Sequence, residues 1–360
     1  MSNDFINDAA QKLFAKEVDK SLIEAVEKGN FAQTLWDQVL ESGFTQLFCK
    51  EQDGGIEATW EDAYPILYHL GYHQAPLPVA ETAIARLILS AAEQSLDTER
   101  PICIAAHAQA KLARDDAGLL QGEIQSVKWA RHASWCLVTL SPKDIALFDL
   151  SAQGVQIVAG VDTSNMPSDR LLLSDVTPHA VFSNPFSNLE DAIQTFGAGA
   201  RAVMMVGALE FALDQSVQYA KDRVQFGKPI GKNQAIQQQL ALMAGEVAIA
   251  RASAYMACKD MPDVNRRISE QAQFSVAAAK ICAGDAVSNG TSIAHQVHGA
   301  IGFTYEHALN FATRRLWAWR GDFGNATSWA RRIGQAYAKQ PGAMFWHHLT
   351  KRVLPVGAQQ

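Results

Sequence analysis

The sequence predicts an α+β protein of several domains, in which helical segments flank a middle segment of short strands. Apolar residues recur at helical spacing from about Phe5 to Gln94. From Pro101 to about Phe186, short apolar runs alternate with Gly, Asp, Ser and Pro, as is typical of the strands of a barrel or sandwich. Long helical patterns rich in small residues return from Asn188 onward, which indicates a packed bundle.

Turn signals divide the first segment. The predicted turn Asp53-Gly54-Gly55 interrupts the helical pattern, and Pro76-Leu77-Pro78 breaks it again before a helix through Ala83, Leu87 and Ile88.

In the middle segment, four short apolar runs predict strands: Ile102-Cys103-Ile104, Cys136 to Leu140, Ala146 to Phe148 and Val155 to Val158. In the last segment, three longer patterns predict bundle helices: Ala202 to Val217, Leu240 to Ala250 and Phe274 to Val287. We therefore predict a helical domain over residues 1–98, a barrel-like β domain over 99–187 and a four-helix bundle over 188–360.

The composition is that of a globular protein and argues against several classes of partner. Of the 360 residues, 48% are hydrophobic and 19% are charged, with a formal net charge of -6. This charge gives no general attraction to nucleic acid or to an anionic membrane, so we expect neither partner. The N-terminus lacks a basic segment followed by an apolar one, and no apolar run is expected to cross a bilayer. The cytoplasm is the simplest compartment.

Neither a disulfide framework nor a metal site is predicted. The five cysteines contain no CxxC pair, so they are expected to be buried free thiols. Four histidines also lack the spacing of metal ligands: His107, His132, His295 and His298.

The most informative tract runs from Tyr219 to Gly231 and is followed by Gln234 at the start of the next helical pattern. Its chemistry suits a dinucleotide. Arg223 supplies a rigid fork of donors for a pyrophosphate, and Phe226 supplies an aromatic face for an adenine. Gln225 and Gln234 supply amides for ribose and phosphate edges. Taken singly, each residue would more simply belong to a helix end, a turn or the core.

This tract resembles the flavin-site signature of the acyl-CoA dehydrogenase family. A downstream motif of the same family is similar to the run from His295 to Phe303, which reads His-Gln-Val-His-Gly-Ala-Ile-Gly-Phe. The resemblance implies an FAD cofactor and an acyl-CoA substrate. It assigns cofactor binding to six residues: Arg223, Gln225, Phe226, Gln234, Gln296 and Gly299.

The catalytic base of the family is not found at either of its usual positions. Dehydrogenation of an acyl-CoA needs a carboxylate that removes the α-proton while the flavin accepts the β-hydride. Gapless counting places Phe323 at the first family position and Gly197 at the alternative one. Asp322 is the remaining candidate, if the loop is shifted by one residue; otherwise it is a solvated turn aspartate. We expect Glu306 to form an ion pair with Arg314 or Arg315.

The middle domain also departs from the family pattern. The threonine-containing strand and Gly-Ser-Asp turn that contact the isoalloxazine have no counterpart between Pro101 and Leu119. Lys128-Trp129-Ala130 stands where the family has Trp-Ile-Thr. Trp129 could cover a flavin face, although packing in the core or an interface is the simpler expectation.

By the resemblance, the two motifs that are present can reach the FAD of a neighbouring subunit. The β-domain contacts and the catalytic base, which are missing, serve a chain's own active site. Our leading interpretation is therefore a base-deficient subunit of a heteromeric, FAD-dependent acyl-CoA dehydrogenase. Its partner would be a homologous subunit in an α2β2 assembly that introduces an α,β double bond into a bulky, sterol-type acyl-CoA. Two alternatives stay open: a self-sufficient homo-oligomeric dehydrogenase that uses Asp322, and a non-catalytic binding or scaffold member.

Overall fold

The computed structural model describes residues 3–265 and 270–355 of the chain. Five helices come first: α1 (Asn3–Glu17), α2 (Lys20–Glu27), α3 (Gln33–Glu41), α4 (Trp60–Tyr72) and α5 (Val79–Ala91). Thr59 caps α4 through a reciprocal hydrogen-bonded box with Asp62. Every residue of α5 is buried, because this helix lies between the N-terminal helices, the first strand and the bundle.

The middle region consists of two four-stranded sheets, which share the expected β character without forming one closed barrel. Its strands are β1 (Ile102–Ala105), β2 (Ala110–Arg114), β3 (Leu120–Lys128), β4 (Trp135–Thr139), β5 (Asp144–Asp149), β6 (Val155–Val158), β7 (Ser168–Val176) and β8 (Ala180–Ser183). One sheet has the order β1-β4-β5-β8 and the other β2-β3-β7-β6. Only the β1–β4 pair is parallel among the described ladders.

The C-terminal region is helical, as the sequence predicts. Its elements are α6 (Ala192–Asp222), the short hairpin β9 (Val224–Gln225) and β10 (Lys228–Pro229), α7 (Gln234–Asp260), α8 (Ala272–His298), α9 (Leu309–Gly321), α10 (Ala326–Ala338) and α11 (Phe345–Lys351). The changes between helix and strand fall between Ala91 and Ile102 and between Ser183 and Ala192. The division into three domains at the sequence-derived boundaries stays a prediction.

Helix α6 is the centre of the bundle and contacts α4, α7, α8 and α9. By length and composition, α6 and α7 are the two described helices that could cross a membrane, so the expectation of no such run was wrong. In α6, 83% of the apolar stretch is buried inside the protein, as in the core helix of a globular protein. In α7 only 28% is buried, so much of this apolar helix lies on the surface.

Two glycines allow α4 and α6 to cross in backbone contact. A Cβ at Gly71 would lie 1.9 Å from the carbonyl oxygen of Met204, and a Cβ at Gly207 would lie 2.1 Å from that of Tyr68. Because these neighbours are backbone atoms, no side-chain rotation can relieve such a contact. The crossing therefore fixes the position of α6. This helix carries Gly197 near its start and leads to Arg223 at its end.

We predict that Gly207→Ala destabilises the chain by about 1–3 kcal/mol or more, because the added methyl group pushes α4 away from α6. The matched control is Gly334→Ala in α10, where no atom lies within 4 Å of the added Cβ. This control should stabilise the chain by roughly 0.5–1 kcal/mol, as alanine is the better helix former. Urea unfolding of both variants tests the crossing, and equal shifts in the two would contradict it.

Candidate functional site

The two positions at which a catalytic base was sought lie against each other. Gly197 is in the first turns of α6, and Phe323 follows α9. A Cβ built at Gly197 would lie 2.6 Å from ring atoms of Phe323, so the aromatic ring occupies the space in front of the glycine. The carbonyl of Phe323 accepts hydrogen bonds from the Gln194 amide and, at 3.0 Å, from the Trp329 indole. The loop is therefore fixed with an apolar ring in place of a carboxylate.

The carboxylate of Asp322, next to Phe323, is part of an ion-pair network. One oxygen lies 3.0 Å from Nε of Arg201, and the other lies 3.2 Å from Nζ of Lys128. Its side chain is 12% exposed. Both oxygens thus face cations of the protein, an arrangement that suits a structural ion pair better than proton abstraction from a substrate.

Buried charges extend this network into all three regions of the chain. Arg201 also pairs with Glu81 of α5, and Lys128 lies 2.8 Å from Asp162. Burial by itself lowers the pKa of Arg201, but Glu81 and Asp322 outweigh it and raise that pKa. Burial likewise opposes the charged form of Lys128, yet Asp322 and Asp162 raise its pKa. We refer to these five residues as the buried ion network.

Lys280 of α8 holds the loop from the other side. Its fully buried Nζ donates to the carbonyl oxygens of Trp319 at 3.0 Å and Asp322 at 2.8 Å, where α9 ends. Burial lowers the pKa of Lys280 to about 7, because no carboxylate lies within ion-pair distance of its amine among the described residues. The amine adds a donor at the C-terminal end of α9, where the carbonyl of Trp319 also accepts from the backbone N–H of Asp322.

The flavin-type tract lies at the opposite end of α6. Arg223 caps the helix with its backbone N–H on Tyr219, and the β9–β10 hairpin follows. Phe226 is fully exposed at the hairpin tip and has a left-handed backbone, with φ 51°. Gln225 is exposed in the same hairpin, and Gln234 is the exposed first residue of α7.

The second motif is at the same end of the bundle. The ring of Tyr219 stacks on His298 at 4.5 Å, which joins the end of α6 to the end of α8. Gln296 and Gly299 are exposed there, and Gly299 needs its positive φ of 65° to terminate α8. The structure therefore brings all six predicted cofactor residues to one end of the bundle.

These residues are far from the chain's own base position. At about 1.5 Å per residue, the helix from Gly197 to its end at Asp222 spans roughly 38 Å. This separation exceeds the length of an extended FAD molecule. The base position and the predicted cofactor residues therefore lie at opposite ends of α6.

Known proteins that match this chain in sequence include acyl-CoA dehydrogenases. The profile of the acyl-CoA dehydrogenase C-terminal domain matches residues 191–321. The chain is 27% identical to the acyl-CoA dehydrogenase IpdE2 of Mycolicibacterium smegmatis over 287 residues, which cover 78% of this chain and 80% of the relative. The chain is thus similar to acyl-CoA dehydrogenases over most of its length.

Solved structures show the same fold. The ChsE4-ChsE5 complex from Mycobacterium tuberculosis contains a chain with a TM-score of 0.82 at 21% identity, covering 94% of this chain and 98% of that chain. The Tcur3481-Tcur3483 steroid ACAD gives a TM-score of 0.78 at 22% identity, with the same coverages. Complexes with FAD are also among the structures that share this fold.

The end of the bundle that carries the six predicted cofactor residues has side chains available for FAD, whereas the base position has no room for it. Within residues 3–265 and 270–355, the side chains of Arg223, Gln225, Gln234 and Gln296 have no hydrogen-bond or ion-pair partner, so their donors and acceptors are free for a ligand. The other end does not fit, because Phe323 fills the space at Gly197. Trp129 is buried against Phe31 and His132, so it is a core residue and covers no flavin face.

Other predicted side chains lie elsewhere. Glu306 is exposed and forms no ion pair with either arginine, so that expectation was wrong. Arg314 pairs instead with Glu27 at 2.6 Å, and Arg315 donates to the carbonyl oxygen of Ala75. Among the described residues, no group of three or more His, Cys, Asp or Glu side chains could hold a metal ion.

Sequence reasoning missed the buried ion network and Lys280. A signal was present, since Arg201 and Lys280 each interrupt a run of small apolar residues in the middle of a helix. A buried charge on such a face requires a partner. The identity of the partners depends on loops that are distant in sequence, so it could not be read from the pattern.

We predict that the depressed pKa of Lys280 makes the chain more stable as the pH rises from about 7 to 10. In this window the folded lysine is neutral while the unfolded one still binds a proton, up to its ordinary pKa of 10.5. Stability should rise by up to about 1.4 kcal/mol per pH unit from this group. Lys280→Met should remove this slope, as measured by urea unfolding at several pH values. Parallel pH profiles for the two proteins would contradict a neutral buried lysine.

Proposed function

We propose that this chain is the base-deficient subunit of a heteromeric FAD-dependent acyl-CoA dehydrogenase. The complex would introduce an α,β double bond into an acyl-CoA thioester. This chain would hold the adenosine-pyrophosphate half of an FAD whose isoalloxazine lies in the partner subunit. The partner would supply the catalytic base.

One observation carries the proposal: the family's two base positions are filled by Gly197 and Phe323 in mutual contact. A ring cannot accept a proton, and the contact leaves no room for a thioester between the two residues. Asp322 offers a carboxylate, but Arg201 and Lys128 hold both of its oxygens. Among residues 3–265 and 270–355, these positions therefore offer no free group placed to remove the α-proton.

The free side chains at the other end of α6 support binding to a partner's flavin. The guanidinium of Arg223 is exposed and can form a charge-assisted fork with a pyrophosphate. The free amides of Gln225, Gln234 and Gln296 can bind ribose and phosphate oxygens. FAD supplies the hydride acceptor when it is bound, and these residues only position its nucleotide end.

The relatives support a proposal for the partner and the substrate. The ChsE4-ChsE5 and Tcur3481-Tcur3483 structures each pair two named chains, and the latter is a steroid dehydrogenase. By this analogy we propose an α2β2 assembly with a homologous subunit, acting on a bulky, sterol-type acyl-CoA in the cytoplasm. A non-catalytic scaffold with the same fold would bind a partner without restoring any flavin.

We predict that the chain expressed alone retains little FAD and that the co-purified partner complex holds about one FAD per heterodimer. The reason is that this chain offers only the nucleotide half of a site. The measurement is the flavin absorbance per mole of complex, together with native mass.

A full flavin complement in the isolated chain would disprove the heteromeric proposal and favour the homo-oligomeric enzyme. A stable complex without any flavin would favour the scaffold.

We predict that Arg223→Lys weakens FAD binding by the complex by about 1–3 kcal/mol, because lysine keeps the charge but loses the fork. The control is Arg331→Lys, at an exposed position of α10. Equilibrium titration of the FAD-free complex measures both variants. Unchanged FAD affinity in Arg223→Lys would leave this residue with only a helix-end role.

We predict that Asp322→Asn leaves flavin reduction within a few-fold of wild type, although it destabilises the fold by removing a partner of two buried cations. Loss of a catalytic base would lower the rate by about 10²–10⁴-fold. The measurement is single-turnover reduction by excess acyl-CoA at matched FAD content. The control, Glu81→Gln, breaks the same network at a residue that is no base candidate. A collapse of the rate in Asp322→Asn alone would make Asp322 the base.

A further inference from the structure

A cavity of about 640 Å³ lies in the N-terminal region, between α3, the end of α5 and the linker that leads to β1. Its lining contains none of the predicted cofactor residues, neither base position and no member of the buried ion network. Arg86 and Ser90 line its α5 wall, one helical turn apart and therefore on the same face of the helix. We call it the α5 cavity. A volume in this range suits a small organic ligand.

Arg86 is a buried cation without a counter-ion. The residue is 9% exposed, and no carboxylate lies within ion-pair distance of its guanidinium among the described residues. Nη2 donates to the carbonyl oxygen of Thr98, whereas Nε is buried and has no partner. Nη1 has no partner either, but the protein does not enclose it, so it is open to the cavity. Burial lowers the pKa of Arg86. An anion at Nη1 would offset the cost of this burial.

Asp53 is a fixed carboxylate that also lacks a counter-ion. Its Oδ2 accepts a hydrogen bond from the hydroxyl of Ser90, which in turn accepts from the backbone N–H of Lys50 at 3.0 Å. In the part of the chain that the structure describes, Oδ1 has no hydrogen-bond partner, and no lysine or arginine pairs with Asp53. Because Ser90 holds it, this carboxylate lies beside the turn of α5 that follows Arg86.

Cys49 lies between the two charges. Burial raises the pKa of its thiol to about 12, while Arg86 lowers that pKa and Asp53 raises it. Both charges are thus close to this sulfur, yet they do not pair with each other. One turn of helix rises about 5.4 Å, which sets the scale of their separation. The cavity therefore presents one cationic and one anionic contact at a distance that a small molecule can span.

The rest of the lining restricts the class of ligand. Three leucines form an apolar wall: Leu40, Leu89 and Leu96. Three further carboxylates add negative charge to the lining: Glu41, Asp97 and Glu99. This charge repels phosphates and other polyanions. A simple carboxylate would pair with Arg86 but would meet the same repulsion. An ammonium group on the same molecule removes the net charge and supplies a partner for Asp53.

We propose that the α5 cavity binds a small zwitterion, with its carboxylate on Nη1 of Arg86, its ammonium group on Oδ1 of Asp53 and its aliphatic part on the leucine wall. The separation of the two contacts favours an ω-amino acid or a dipeptide over an α-amino acid, whose two groups share one carbon atom. The termini of an extended dipeptide are about 5–7 Å apart. The site goes beyond the proposed function, because neither flavin nor a partner subunit takes part in it.

The first test is isothermal titration of the full chain with δ-aminovalerate and with L-leucyl-L-leucine, both of which should bind. Valerate and pentylamine each carry one of the two charges on the same aliphatic chain. Each should bind about 10- to 150-fold more weakly than δ-aminovalerate, the range for loss of one hydrogen-bonded charge. Inorganic phosphate should not compete, and competition by phosphate would make this a plain anion site.

Two variants assign the contacts. Arg86→Gln should weaken δ-aminovalerate and valerate about 10- to 150-fold and leave pentylamine unchanged. Asp53→Asn can keep the hydrogen bond from Ser90, and it should weaken δ-aminovalerate and pentylamine but not valerate. The matched control is Asp97→Asn, which removes an exposed carboxylate from the same cavity. This control should change each affinity by less than about 5-fold, as expected of an exposed charge.

The wild-type series decides the question even if a variant does not fold, which thermal unfolding detects. Absence of binding by both zwitterions at millimolar concentration overturns the proposal. Equal binding of valerate, pentylamine and δ-aminovalerate also overturns it, because the two contacts are then not used together. So does tight binding that neither Arg86→Gln nor Asp53→Asn weakens. None of these results bears on the flavin proposal, which FAD retention tests separately.

Discussion

Arg201 pairs with two carboxylates, those of Glu81 and Asp322, and the three parts of the chain meet at these ion pairs. Glu81 brings the last N-terminal helix to this guanidinium, and Asp322 brings the loop after α9. Lys128 then joins Asp322 to the β domain through Asp162. Charges buried to this degree are costly unless each has an opposite partner with good geometry. The network thereby joins α5, α6, the loop after α9 and the β domain by charge as well as by apolar packing.

The network adjoins Phe323, the position at which the resemblance to the family places a catalytic base. Lys280 and the carbonyl contacts of Gln194 and Trp329 fix the same loop from other sides. These bonds need no ligand to be satisfied. Protein contacts therefore hold this loop without flavin or substrate, as the proposed function requires.

Helix α6 separates the base position from the predicted cofactor residues. Its buried first half carries Gly197 and Arg201, and its end presents Arg223 to solvent. Close contact with α4 through Gly71 and Gly207 leaves the helix no freedom to move sideways. The end of α6 that carries Arg223 is thus held by packing that occurs far from it, which favours a preformed site there.

The sequence by itself determined the order of helical and β regions, because periodicity is a local property of the chain. It also determined the nucleotide motif, since Arg223, Gln225 and Gln234 lie close together along the chain. It located the empty base positions by counting alone. Only the tertiary structure decided that Phe323 fills the space at Gly197 and that Asp322 pairs with Arg201 and Lys128. It also overturned the expected ion pair of Glu306, because Glu27 lies closer to Arg314 in space. Contacts between residues so distant in sequence depend on how whole elements pack, and no local pattern encodes them.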